Sequence, residues 1–390
     1  MKLIDLIVKQ SASMVALRRD LHAHPELGFA LQRTSDLVAS QLTQWDIPVH
    51  RGLGRTGVVG IIRHGTSARA IGLRADMDAL PIQEANTFAH ASAHPGLMHA
   101  CGHDGHMAML LSAAHYLVTQ PHFDGTVYLV FQPAEEGGGG AHEMIKDGLF
   151  DLFPMDAVFG MHNWPGLPEG QFAVSEGPVM ASSNEFKITL HGKGGHAAMP
   201  HKTQDPVPVA CQLVQAFQTI ISRNLRPIDA GVISVSSIHT GQTNNVILGR
   251  CVLAGTVRSL LPEVLDLIEH RMQGITRGVC EAFEMAHDFE FTRNYPATVN
   301  HAAESDLARQ VLTDIVGQSK VLAQEPTMAA EDFAYMLQAR PGCYVFIGNG
   351  DDDHGGGSCM LHNACYDFND ALLPLGATYW VRLAERYLQP

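Results

Sequence analysis

The stretch Met98-His99-Ala100-Cys101-Gly102-His103-Asp104-Gly105-His106 sets a thiol, three imidazoles and a carboxylate at the foot of an apolar helical run. Cys101 and His103 offer thiolate sulfur and imidazole nitrogen, donors that suit zinc, manganese or cobalt. A buried free cysteine beside satisfied histidines, with Asp104 capping the helix, would give the same letters. The density of donors favours a metal. Three more stretches end apolar runs in the same manner. Leu73-Arg74-Ala75-Asp76-Met77-Asp78 closes one on paired carboxylates, which solvated turn acids would also explain. Phe131-Gln132-Pro133-Ala134-Glu135-Glu136 closes another on adjacent glutamates. On an extended backbone neighbouring side chains point opposite ways, so one glutamate can hold a metal while the other faces a substrate. Phe159-Gly160-Met161-His162 closes the third on a histidine, and Leu361-His362-Asn363 places a further one near the carboxyl end. Each of these histidines is weak evidence alone and gains weight from the company.

Two other chemistries are compatible with these residues. Cys101 with His103 could form a covalent acyl-enzyme, in which case activity would survive a chelator. A non-catalytic metal- or peptide-binding protein would show a lost base or ligand, and this chain keeps both glutamates and every candidate donor.

Short apolar runs at Val58 to Ile62, Ala70 to Ala75, Thr126 to Phe131 and Ala157 to Met161 alternate with helical patterns such as His106 to Leu117 and Ala141 to Lys146. That alternation predicts an α/β sheet covered by helices, and open sheets of this kind present their sites where the strands end. Lys2 to about Leu42 reads as two helices around a turn at Pro25 and Gly28. From Ser183 the pattern changes to strand (Glu185 to His191), helix (Pro206 to Arg223), two strands (Gly231 to His239, Arg250 to Ser259), helix (Pro262 to Ala286) and strand (Phe289 to Tyr295). This β-α-β-β-α-β order is that of a ferredoxin-like α+β unit. The expected organisation is therefore a discontinuous catalytic domain, residues 1–182 and 296–390, with a mixed sheet flanked by helices. Residues 183–295 form the inserted lid. Asp351 to Gly357 reads as a loop, and Cys343 to Gly348 as a strand before a long final helix.

Composition narrows the setting. A net charge of −14 without a basic stripe argues against nucleic acid. Seven scattered cysteines suggest a reducing compartment, and neither a cleavable leader nor an apolar run of membrane length is visible, so the expected location is cytoplasmic with no membrane partner.

These motifs, taken in order, resemble the hippurate hydrolase, N-acyl-amino-acid and auxin-conjugate amidohydrolase branch of the aminoacylase/carboxypeptidase metallopeptidase superfamily. The resemblance runs nearly end to end. It begins at Arg18-Arg19-Asp20-Leu21-His22-Ala23-His24-Pro25-Glu26-Leu27 and includes Gly192-Lys193-Gly194-Gly195-His196-Ala197-Ala198, Ala330-Glu331-Asp332-Phe333 and Leu361-His362-Asn363. It implies a discontinuous metallopeptidase fold with a dimerising lid, and hydrolysis of a small N-acyl amino acid to a carboxylic acid and a free amino acid. It also implies two divalent ions (Mn2+, Zn2+ or Co2+) held by Cys101, His103, Glu136, His162 and His362, with Glu135 as general base and Asp78 supporting a ligand. The role of Asp76 stays open. His196 would stabilise the oxyanion in the partner's site of a homodimer or larger assembly, and Asn245 and Arg258 would grip the substrate. A dipeptidase or carboxypeptidase on the same scaffold is the nearest rival. The chain departs from the family at Ala30-Leu31-Gln32, where acidic residues are usual, and at Cys365, where a proline is usual.

Overall fold

The computed structural model describes residues 1–323, 325–350 and 359–389, so the loop expected at Asp351 to Gly357 lies outside the described residues. The chain divides into two compact units. One comprises Met1–Val179, Val299–Glu325 and Asp332–Pro390, and the other Met180–Thr298 and Pro326–Glu331.

The first unit is built on an eight-stranded mixed sheet. Its strands β1 (Val49–Leu53), β2 (Gly57–His64), β3 (Ala70–Asp76), β4 (Gly125–Gln132) and β5 (Ala157–Pro165) lie in the order β1-β2-β4-β3-β5. Gly342–Gly350, Phe172–Ala173 and Val321–Leu322 complete the sheet. β4, β3, β5 and Gly342–Gly350 are mutually parallel. Every residue of β3 is buried, as the continuous apolar run at its core requires of a strand covered on both faces. The chain leaves β3 for β4 on one side and then returns to β5 on the other. β3 thus ends at a topological switch point, where a crevice opens beyond the carboxyl ends of the strands.

Helices α1 (Asp5–Lys9), α2 (Ser11–Ala23) and α3 (Gln32–Gln44) form the amino-terminal part. The break at Gln10 makes three helices of the two expected, and neither proline nor glycine marks it. Leu31 provides no side-chain cap for α3. Glu26 does this instead, its carboxylate accepting from the N–H groups of Arg33 (3.1 Å) and Thr34 (2.8 Å), donors the helix itself leaves open. The unusual Ala30-Leu31-Gln32 stretch therefore leaves α3 properly started. Helix α4 (His103–Thr119), between β3 and β4, is apolar nearly all round and correspondingly buried.

The second unit has the β-α-β-β-α-β order, with strands Ser183–His191, Gly231–His239, Arg250–Ser259 and Ala286–Tyr295 and helices Pro206–Thr219 and Pro262–Ala282. Gly231–His239 lies at one edge of the four-stranded sheet, followed by Arg250–Ser259, Ser183–His191 and Ala286–Tyr295, the antiparallel ferredoxin-like arrangement. Its own apolar core includes Phe186, Leu213, Phe217, Leu253 and Ile268. The first of its helices stops at Thr219 and gives way to a single π turn, Ile220–Asn224, a change of hydrogen-bond step that apolar spacing does not reveal. Among the described residues no helix is long and apolar enough to cross a membrane.

Candidate metal centre

Cys101, Gly102 and His103 occupy the junction between the β3 exit and α4. Gly102 is held at φ 93°, and a side-chain carbon there would lie 2.2 Å from the Asn163 amide oxygen. Only glycine allows the two donors to be joined by so short and so crowded a turn. His103 is fully buried, and its Nδ1–H donates to the Asp78 carbonyl oxygen at 2.8 Å. That bond sets the tautomer and leaves Nε2 as the free donor atom. His162, on β5, is fixed in the same way: Nδ1–H donates to the Asn163 carbonyl at 2.7 Å, and Nε2 points to the Cys101 sulfur, 3.3 Å away.

Glu135 and Glu136 lie in a turn after β4. The backbone is not extended there. Ala134 turns the chain at φ 54°, and Gly140 closes the turn so tightly that a Cβ would overlap the Pro133 carbonyl. The alternation argument for separating the two glutamates therefore does not apply. A single group orders the pair instead: the buried Asp78 carboxylate accepts from the N–H of Glu135 and of Glu136, at 3.0 Å each. Glu136 Oε1 lies 3.3 Å from His362 Nε2 and 3.9 Å from His103 Nε2. His362 has φ 65°, so both it and Ala134 adopt a left-handed backbone that costs about 1–2 kcal/mol per residue for a side chain with a Cβ. The His362 N–H is tied to the Ala100 carbonyl at 2.8 Å. Cys365, one of the departures from the resembled pattern, uses its N–H to bond Asn363 Oδ1 at 2.9 Å, a contact proline cannot make.

Ligand atoms of Cys101, Glu136 and His362 lie within 4.8 Å of one another, as do those of His103, Glu135 and Glu136, and those of Asp76, His103, His106 and His162. The structure thus brings together the five expected donors and Glu135. It also adds supporting residues. His106 Nδ1–H donates to Asp76 Oδ1 at 2.6 Å, and Arg74 donates to Asp76 Oδ2 at 2.7 Å. The Asn163 amide spans His106 and the Tyr366 hydroxyl. Asp332 accepts from Arg74, Gln132 and the Ala141 N–H, tying the β3 and β4 ends to the helix that follows the glutamates. His106 stood in the sequence as part of the Cys101 stretch, and Asp332 as part of a motif. Neither could be given a partner without the fold.

The electrostatics fit a cation. Burial, then the carboxylates of Glu136, Glu135 and Asp76, push the Cys101 thiol well above its usual range. Such a thiol is a poor nucleophile and becomes a thiolate when a cation draws off its proton. Burial opposes a charge on Asp76, yet His103, His106 and Arg74 hold it well below the usual carboxylate range. Burial likewise opposes a charge on His103, but Asp76 and Asp78 raise it to about 10. His103 Nε2 is a buried nitrogen without a hydrogen-bond partner, which a metal ion would satisfy.

His196, Asn245 and Arg258 belong to the second unit. His196 pairs with Val246 in a short two-stranded ribbon, and the Ala197 N–H donates to the Asn245 carbonyl at 3.1 Å, so the ribbon brings His196 and Asn245 together. The Ala198 N–H donates to His196 Nδ1 at 3.1 Å, which leaves the neutral ring with Nε2–H as an exposed donor. Arg258 stands apart from them on strand Arg250–Ser259, half-buried.

Sulfur, nitrogen and oxygen donors gathered at a switch point, with a further glutamate beside them, define the centre of a metal-dependent hydrolase. Residues 72–386 match the peptidase family M20/M25/M40, and the chain belongs to that family. It is 39% identical to a hippurate hydrolase of Campylobacter jejuni over the whole of both chains. It is 38% identical to thermostable carboxypeptidase 2 of Saccharolobus solfataricus, over 96% of this chain and 95% of that one. Its fold superposes with a TM-score of 0.85 on the Bacillus subtilis YXEP protein, described as a dinuclear metal-binding peptidase of the M20 family, at 29% identity and over 98% of this chain and 99% of the other. The resemblance read from the motifs holds.

Proposed function

We propose that this chain is a two-metal amidohydrolase that cleaves the amide bond of small N-acylated amino acids, releasing a carboxylic acid and a free amino acid. The observation that carries this reading is the convergence of Cys101, His103, Glu136, His162 and His362 with Glu135 among them. Those five residues would hold two divalent ions, manganese, zinc or cobalt. When bound, such ions polarise the scissile carbonyl and make water acidic enough to ionise near neutral pH. Glu135 takes the proton of the attacking water and returns it to the departing nitrogen, without which an amine cannot leave. Asp78 keeps Glu135 and Glu136 in register through their N–H groups.

The second unit is the lid of a homodimer, in which His196 of each chain serves its partner's centre. Its Nε2–H donates to the carbonyl oxygen as negative charge develops there. Asn245 and the planar fork of Arg258 grip the substrate carboxylate. The cytosol is the proposed location, consistent with seven free thiols.

The likeness to a carboxypeptidase favours a second reading, release of a carboxyl-terminal residue from a peptide. The two share a bond type, an amide whose nitrogen belongs to an amino acid with a free carboxylate. Metal-free protein reconstituted separately with Mn2+, Zn2+ and Co2+, then assayed on hippurate, N-acetyl amino acids and dipeptides, separates them. Turnover of dipeptides alone would replace the first reading with the second.

A mixing experiment tests the lid. His196→Ala and Glu135→Gln homodimers should both be nearly inactive. Under subunit exchange, one site of each heterodimer combines an intact Glu135 with an intact partner His196, and the other carries both defects. About half the wild-type activity per heterodimer is expected, since a two-fold dimer has two equivalent sites. A mixture that stays inactive despite proven exchange would remove His196 from this role.

A further inference from the structure

One residue after His103, the fully buried Asp104 carboxylate enters a different network. Arg18 Nε lies 2.8 Å from Asp104 Oδ2, and His22 Nδ1 lies 2.9 Å from the same oxygen. Arg18 and His22 are spaced i, i+4 on α2, so one face of one helix presents both. The other ends of both side chains reach further. Arg18 Nη2 donates to Asp367, and Nη1 stands 3.5 Å from Asp370 Oδ1. His22 Nε2 stands 3.2 Å from Glu84 Oε1. The residues after Glu84 are in turn fastened to the segment that follows His362: the Ala85 N–H donates to the Ala364 carbonyl at 2.9 Å, and Asn86 Nδ2 to the Tyr366 carbonyl at 2.9 Å. The turn between is stiffened by the Tyr366 N–H bonding the Asn363 carbonyl at 3.0 Å.

Two arms therefore run from α2. Both hold Asp104 at one end, next to the Cys101 and His103 donors. Both end on residues 364–370, just past the His362 donor. The Cys101/His103 pair and His362 come from parts of the chain far apart in sequence, and a direct tie between them is the bond from the His362 N–H to the Ala100 carbonyl. We infer that Arg18 and His22 are positioning residues of the metal centre, which set the separation between the Cys101/His103 pair and His362 by clamping Asp104 on one side and residues 364–370 on the other. This inference rests on the proposed metal reading and adds to it two residues that touch no ligand.

The guanidinium matters for its shape. Arg18 comes within ion-pair distance of Asp104, Asp367 and Asp370 through three different nitrogens of one rigid plane, with hydrogen bonds to Asp367 and to His90 Nε2 (3.1 Å), whereas a lysine ammonium is a single point on a flexible stem. Arg18→Lys thus keeps the charge and loses the reach. Removing a partner that orients a metal ligand commonly weakens metal binding by about 10–100-fold.

The test titrates metal-free protein with Mn2+, Zn2+ or Co2+ alone, with no substrate, and reads stoichiometry and Kd by calorimetry. Turnover is then measured at saturating metal. Arg18→Lys should bind one of its two ions about 10–100-fold more weakly, while kcat at saturating metal stays near wild type and KM is unchanged. His22→Gln should shift the same ion in the same direction. Asp367→Asn, which touches only the outer arm, covers the case in which Arg18→Lys does not fold. Unchanged affinity for both ions in a folded Arg18→Lys, or in Asp367→Asn if that is the variant that folds, overturns the inference. So does lost turnover with metal binding intact. Wild-type protein that takes up no ion would defeat the proposed function itself, and that outcome is visible before any variant is made.

Discussion

His103 and Asp104 are adjacent in the chain and equally buried, yet their side chains enter opposite kinds of surroundings. Around Asp104 the charges answer one another: a carboxylate faces a guanidinium and an imidazole, and each of these has a further acidic partner. Around His103 the groups that converge are all donors to a cation. A thiol, imidazole nitrogens and carboxylates face each other, close enough to share an ion. Buried ionic groups persist only when paired or bound to metal. The first cluster sets its charges against opposite charges of the chain, and the second gathers ligand atoms within reach of a common ion. Whether acids face cations of the chain or other ligand atoms distinguishes the two clusters even though the residue types are nearly the same.

The largest effect that could sharpen this contrast lies at Glu135. Glu135→Gln keeps the shape but cannot accept a proton, so kcat should drop by about 10²–10⁴-fold with both ions still bound. Near-normal turnover in the fully metallated variant would remove Glu135 from the role of base.

Cys101→Ser and His103→Ala come next. Each removes a donor atom, so metal occupancy and activity should fall together, by about 10-fold or more in affinity. Elemental analysis after dialysis is the check. An unchanged content of two ions per chain would contradict the assignment and erase the difference between the clusters.

A further effect, on stability rather than on metal binding or turnover, belongs to the network around Asp104. Burial works against a charge on His22, and Arg18 opposes it too, but hydrogen bonds to Asp104 and Glu84 prevail and raise its pKa from 6.5 to about 9. The folded state therefore binds this proton more tightly than the unfolded state does. The stabilisation is complete below pH 6.5 and is lost as pH rises through about 9. Its upper limit is on the order of 3 kcal/mol. Urea midpoints of metal-free protein should decline between pH 6.5 and 9 in the wild type and decline less in His22→Gln. Parallel declines in the two proteins would place the titrating group elsewhere.

Much of this was legible in the sequence because strand ends and donor residues coincide. β3, β4 and β5 stand out as apolar runs, and the Asp76/Asp78 pair, the Glu135/Glu136 pair and His162 stand where those runs stop, while the role of each member of a pair is what the family resemblance implies. The order of elements in the second unit is equally plain, since its strands alternate and its helices are long. Two things were not legible. The turn at Ala134 hides behind an alanine, which gives no sign of a positive φ, so the glutamates read as a continuation of β4. The partners of Arg18, His106 and Asp332 lie far along the chain, and nothing in one sequence records which distant carboxylate a buried cation will meet. Local pattern reveals the donors, and tertiary pairing decides which of them are left for a metal.

Asp78 carries one further consequence. Its two carboxylate oxygens hold the amides of Glu135 and Glu136, and its carbonyl holds the ring of His103. One residue therefore sets the proposed base and two of the proposed ligands at once. For a lineage evolving toward another metal or substrate, Asp78 is a pleiotropic position, where no change can be confined to one function. Cys101, His162 and His362 are free of that linkage, so drift in metal preference that spares the base should be found at those three positions, with the aspartate left in place.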